Sequence, residues 1–185
     1  MHTYTRLFVA IELPESTKNI LAKLQHALPG MTWAQVLNIH LTLRFIGQVG
    51  PEQKVHILEG LEQVRVEPFF LSLSGLGIFL KKSHAVLWVG VARSPALLGL
   101  KKEVDNSLER FAGLAVEQGR FTPHITLGRM KKPNKKVLKE FIAQYSDTMH
   151  GIFSVDCMTL LQSILTADGA VHVVAARYYF NGLGL

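Results

Sequence analysis

The sequence predicts a mixed α+β fold: two comparable lobes facing each other across a cleft, within one domain spanning residues 1–185. Three observations carry this. Short apolar segments with the twofold period of strands alternate with segments of helical period, about seven strands and four helices in all. The pattern His-x-Thr-Leu occurs twice, as His40-Leu-Thr42-Leu and His124-Ile-Thr126-Leu. Each half of the chain also repeats the order strand, helix, His-x-Thr strand, helix, so one motif strand is expected per lobe.

Arg6–Leu13 is apolar and reads as a buried strand. Pro14-Glu-Ser-Thr17 opens a helix whose apolar positions Ile20, Leu21, Leu24 and Leu28 keep helical spacing until Pro29-Gly30. Trp33–Leu37 is a connector. The first motif strand, Asn38–Phe45, alternates closely, placing His40, Thr42 and Arg44 on one face and Leu41, Leu43 and Phe45 on the other. Glu52–Val66 is an amphipathic helix. Phe69–Leu76, punctuated by Gly75 and Gly77, and Ala85–Val91 form a hairpin across Lys81-Lys82-Ser83. Ser94-Pro95 starts the next helix, with Ser capping and Pro at the first helical position. The second motif strand starts near Phe121. A basic loop, Lys131–Lys136, leads to helix Val137–Tyr145. Phe153–Leu161 and Val171–Phe180 close the chain as two strands joined by a turn around Ala167-Asp168-Gly169.

The composition, 48% hydrophobic and 18% charged, belongs to a folded chain and excludes a disordered one. A formal net charge of +6 favours anionic partners. The single Cys157 excludes an intramolecular disulfide and a thiolate metal cluster. The N-terminus has no signal-peptide core, and no apolar run reaches the roughly 20 residues of a membrane helix, so a cytoplasmic protein is expected.

Residues i and i+2 of a strand share a face, so each motif presents an imidazole and a hydroxyl together from a rigid element. Two such strands on one cleft suit phosphodiester chemistry. One neutral imidazole takes a proton from water while a protonated one supplies the leaving oxygen. The hydroxyls of Thr42 and Thr126 donate to non-bridging phosphate oxygens. This arrangement calls for no metal or other cofactor. No His pair has i, i+4 helical spacing, and no Gly-x-Ser-x-Gly elbow exists for serine nucleophilic catalysis.

Four segments occur in order: Arg6-Leu-Phe, Asn38-x-His-Leu-Thr-Leu-Arg-Phe-Ile-Gly47, Gly75-x-Gly-x-Phe79 and Phe121-x-Pro-His-Ile-Thr-Leu-Gly-Arg129. With them the chain resembles, over essentially its whole length, the 2H phosphoesterase superfamily. Within it the resemblance is to the RNA 2′,3′-cyclic phosphodiesterases, also called 2′-5′ RNA ligases. The resemblance implies two pseudo-symmetric lobes, each an antiparallel-rich sheet with helices outside, around a central cleft. It implies hydrolysis of RNA 2′,3′-cyclic ends to 2′-phosphates, with His40 as proton donor and His124 as proton acceptor, and reversal to 2′-5′ ligation with a 5′-hydroxyl. Arg129 contacts phosphate in that family. Strand parity puts it with Ile125 and Leu127 instead, so it enters the cleft only if Gly128 begins a bulge or the strand ends there.

Arg44 has the parity of the cleft face and is either a substrate-binding residue or a solvated charge at a strand end. Phe79 is a candidate for base stacking, ahead of Phe45 and Trp33. Lys81, Lys82, Lys131, Lys132, Lys135 and Lys136 are solvated loop residues or a rim that tracks RNA. The family's last hairpin carries a Tyr soon after its Gly, whereas here Gly169 leads to Ala-Val-His172. His172, like His2, His26, His56, His84 and His150, reads as a surface or packing residue. The expected partners are RNA ends, tRNA-derived fragments among them, or nucleoside cyclic phosphates, bound by a monomer. Two other readings stand beside hydrolysis: an RNA-end binding or ligation factor, and a phosphodiesterase acting on small cyclic nucleotides or 2′-5′ oligonucleotides.

Overall fold

The structure, a computed structural model, describes residues 4–25, 27–148, 150–167 and 169–180. Strand β1 (Thr5–Glu12) leads through α1 (Glu15–Ala22) and β2 (Met31–Trp33) to β3 (His40–Val49). Then follow α2 (Pro51–Leu61), β4 (Phe69–Leu80), β5 (His84–Val91), α3 (Pro95–Ala112) and β6 (His124–Lys131). The chain ends with α4 (Lys135–Tyr145), β7 (Ile152–Val155), β8 (Cys157–Thr166) and β9 (Gly169–Tyr179).

All strand pairs are antiparallel, in the order β7-β4-β5-β6-β3-β1-β8-β9, with β2 added on β6. The α+β expectation holds. The two halves are related about the middle of that order, where β6 and β3 meet through one residue pair, Leu41 opposite Ile125. On one side β6 pairs with β5, and β5 with β4; on the other β3 pairs with β1, and β1 with β8. The motif strands are thus next-door neighbours at the join of the halves. Their apolar residues Leu41, Leu43, Ile125 and Leu127 are buried beneath them.

Local chemistry explains the boundaries. The Ser94 hydroxyl accepts the Leu97 N–H at 3.2 Å and caps α3, while the Asn134 side chain accepts from Lys136 and Val137 and caps α4. The apolar spacing after Ile20 predicts a helix to Leu28, but α1 stops at Ala22; Leu24 and Leu28 stay buried in a looser coil. Strand β4 runs past the glycines that were expected to end it. A register shift between Leu73 and Leu76 absorbs Gly75, whose φ of 74° suits glycine. The Trp88 indole lies against Gly77, where any Cβ would collide with it. The predicted strand Phe153–Leu161 is instead two strands: β7 pairs with β4 and β8 with β1, so the chain crosses between halves at Asp156. Its carbonyl accepts the Phe180 N–H at 2.7 Å. In the last turn, Asp168 lies outside the described residues, as do His2 and His26.

Candidate active site

Each motif strand carries a bulge directly after its threonine. Thr42 lies opposite Ala10, yet Arg44 lies opposite Val9, so β3 has one extra residue. Thr126 lies opposite Trp88, yet Gly128 lies opposite Leu87, so β6 has one as well. An extra residue reverses the alternation. On β3 the faces read His40 and Thr42 in the cleft, Leu43 and Arg44 buried behind, and Phe45 out again at 61% exposure. On β6 they read His124 and Thr126, then Leu127 and Gly128 behind, and Arg129 exposed on the cleft side.

Phe45 and Arg129 are therefore equivalent positions of the two halves. The bulge alternative for Arg129 is the one found, since β6 continues to Lys131. Gly128 allows β2 to pass close by, because a Cβ there would sit 2.9 Å from the Met31 side chain and the Thr32 carbonyl.

Arg44 does not reach the cleft. Its parity is inverted by the bulge, and its guanidinium is buried, donating to Asp105 Oδ1 at 3.2 Å and to the Ala115 carbonyl at 2.6 Å. It is neither a substrate-binding residue nor a solvated charge but a structural cation.

The two histidines are mounted alike. His40 Nδ1 lies 2.7 Å from the Asn38 carbonyl, and His124 Nδ1 lies 2.8 Å from the Thr122 carbonyl, two residues back in both cases. A carbonyl only accepts, so each Nδ1 carries hydrogen and each Nε2 is the nitrogen left for proton transfer. His40 Nε2 meets Thr42 Oγ1 at 3.1 Å.

Their surroundings differ. His40 packs against Phe8, with ring centroids 4.9 Å apart, and His172, 5.3 Å away and edge-on. Burial lowers its pKa from 6.5 to about 4, helped by His172 and opposed by the Asn38 hydrogen bond and by Glu12. The free site therefore holds His40 neutral at neutral pH. His124 meets Phe79 edge-on at 4.9 Å, with Trp88 at 6.1 Å.

His40, Thr42, His124 and Thr126 line one cavity of about 420 Å³, together with Arg6 and Arg129. A second cavity of about 370 Å³ shares Thr42, Phe45 and His124 and has Phe79 on its wall. Trp33 lines the first cavity. Lys81, Lys82, Lys131, Lys132, Lys135 and Lys136 line neither. Among the described residues no group of His, Cys, Asp and Glu is arranged to hold a metal ion.

His172, Phe8 and Asn38 also line the first cavity; none has a site role readable from the sequence, although Phe8 and Asn38 stand in segments that carry the family resemblance. His172 did stand out as a departure from the family's hairpin, which is the signal that points to it.

A family model described as "2′-5′ RNA ligase superfamily" matches residues 9–164. The chain belongs to the 2′-5′ RNA ligase superfamily. Among the superfamily members it resembles, the RNA 2′,3′-cyclic phosphodiesterase of Methanocaldococcus jannaschii is 33% identical over 178 residues, 94% of this chain and 99% of that protein. The RNA 2′,3′-cyclic phosphodiesterase of Thermotoga maritima is 35% identical, covering 96% of both chains. A crystal structure from Thermus thermophilus superposes with a TM-score of 0.78 at 25% identity, over 97% of this chain and all of that one (100%). Escherichia coli LigT complexed with 3′-AMP has the same fold, with a TM-score of 0.77 at 24% identity over 96% of this chain and 99% of that one.

Proposed function

We propose that this chain is an RNA 2′,3′-cyclic phosphodiesterase that works by two-histidine acid–base catalysis. The observation that supports it best is the pair of imidazoles on adjacent strands, each with Nδ1 fixed by a carbonyl and a threonine on the same face. In the proposed step, His124 Nε2 takes a proton from water as its oxygen attacks phosphorus. The bond from phosphorus to O3′ breaks, and O3′ takes the proton from His40 Nε2, leaving a 2′-phosphate. Thr42, Thr126 and Arg129 hold the phosphate oxygens as charge builds on them. Phe79, against His124, offers a stacking face. Both proton transfers are supplied by imidazoles, so turnover is expected to survive a chelator. With a 5′-hydroxyl in place of water the same step bonds O5′ to phosphorus, releases O3′ as a hydroxyl and forms a 2′-5′ linkage; run backwards, it cleaves that linkage.

The enzyme acts on RNA ends as a monomer in the cytoplasm. Among the described residues no helix is long and apolar enough to cross a membrane. The single Cys157 suits a reducing compartment.

The deciding experiment is product analysis with a nucleoside 2′,3′-cyclic phosphate. A 2′-phosphate is expected; a 3′-phosphate reverses the assignment of the leaving oxygen, and no turnover removes the reading. A further expectation concerns protons. His40 must gain one when an anionic phosphate enters, because the free ring titrates at about 4 and a nearby negative charge raises that value. Calorimetry in buffers of different ionisation enthalpy should show proton uptake on binding of a nucleoside 2′-phosphate. By linkage, affinity should strengthen as pH falls through the raised value of the bound ring and level off near about 4, the value of the free ring. Binding without proton uptake contradicts His40 as the donor.

A further inference from the structure

The β8–β9 hairpin grips one of the two histidines from two directions. From β9, the His172 ring stands edge-on to His40, with centroids 5.3 Å apart and planes at 80°. Phe8 completes a three-ring cluster, its centroid 4.9 Å from both imidazoles. Nearer the turn, the Ala170 carbonyl accepts the Asn38 side-chain amide at 2.9 Å. The backbone carbonyl of that same Asn38 fixes His40 Nδ1. His124 has a different setting, against Phe79 and Trp88 of the β4–β5 hairpin. The hairpin contacts thus break the likeness of the two halves at the catalytic pair itself.

His172 is also an odd choice for a mere wall. Its Nδ1 is buried with no hydrogen-bond partner among the described residues, which opposes folding and which an apolar ring would avoid. We propose that His172 is the positioning residue for His40, setting its ring directly and, through the hairpin's hold on Asn38, its Nδ1 anchor. This rests on the role given to His40 above.

Two imidazoles this close in a buried cluster resist double protonation. Burial lowers His172 as well, and a charge on either ring opposes a charge on the other. The charges facing the pair are few. Glu12 of β1 lies opposite His40 and is paired with Arg177 of β9 at 3.0 Å. Arg6 of β1, Arg129 and His124 of β6 and Ser163 of β8 line the same cavity.

The test combines kinetics with an NMR titration of the His40 ring in the wild type, His172→Phe, His172→Ala and Asn38→Ala. His172→Ala should lower kcat about tenfold or more as the His40 ring loses its fixed orientation, with KM held within about twofold. It should also move the His40 titration from about 4 back toward 6.5 as water enters the cluster. His172→Phe keeps the packing and should recover most of kcat and the low titration point. Asn38→Ala should shift both readouts in the direction of His172→Ala.

An unchanged kcat and His40 titration in His172→Ala overturns the proposal. So does a raised KM with kcat intact, which marks a substrate contact instead. If His172→Ala does not fold, Asn38→Ala decides, and wild-type values in both readouts overturn the idea. The titration needs no substrate, so a wrong substrate assignment and a wrong role for His172 give different results.

Discussion

Replacing His40 or His124 with Ala is expected to lower kcat/KM on a 2′,3′-cyclic phosphate by about 10²–10⁴-fold, with the fold intact. Each ring anchors through a backbone carbonyl two residues back, which the substitution leaves in place. Their loss therefore removes proton transfer and little else. Groups that act as one unit are not additive, so the double variant should fall only slightly below the worse single one. Thr42→Ala and Thr126→Ala should be milder, each removing one donor to a phosphate oxygen that Arg129 also faces. Steady-state assays on the four variants, with unfolding midpoints as the control, check the ranking. Near-normal turnover by either histidine variant rules out a two-histidine mechanism.

The part of this site that can be read from the chain is the part that obeys simple periodicity. His40 with Thr42, and His124 with Thr126, share faces because two residues of strand return to the same side. What parity alone could not settle begins at the next residue. A bulge is a property of two strands in register, Val9 and Ala10 against β3, Leu87 and Trp88 against β6. It has no unambiguous mark in the strand that bears it. Gly128 hinted at one; Leu43-Arg44 did not, so Arg44 and Phe45 exchange the faces that strict alternation assigns them. His172 shows in the sequence only as a departure from the family's hairpin, and its place in the site is not legible there for a related reason. Its neighbourhood is made by the register of β9 on β8 and of β8 on β1, and not by anything local to Ala-Val-His. The split of Phe153–Leu161 is of the same kind: both pieces have strand character, and only their different partners separate them. Helix caps at Ser94 and Asn134 are local chemistry, by contrast, and the start of α3 at Ser94-Pro95 was legible.

Arg44, denied a catalytic place, carries the largest expected effect on stability. It and Lys101 converge on Asp105 Oδ1, at 3.2 and 2.8 Å, and all three side chains are at most 9% exposed. Lys101 also reaches Glu117 at 2.9 Å, and Arg44 reaches the Ala115 carbonyl. Asp105→Ala leaves two cations beside each other in a buried site, with Glu117 as the remaining carboxylate of the group. Breaking a buried pair in this way costs about 3–5 kcal/mol, enough to lower Tm by about 6–20 °C in a chain of this size. Thermal and denaturant unfolding would measure it, and a change within about 0.5 kcal/mol, the range of an ordinary surface substitution, would mean that the network is not buried in solution. The effect should extend to catalysis, because Ala115 and Glu117 belong to the segment that runs to Thr122, whose carbonyl orients His124. Combining Arg44→Met, Lys101→Met and Asp105→Leu removes every charge of the triad and should recover much of the stability. It does not restore the contacts to Ala115 and Glu117. That triple variant is therefore expected to be folded and yet slow, with kcat reduced more than KM is changed, which separates what the triad does for the fold from what it does for His124.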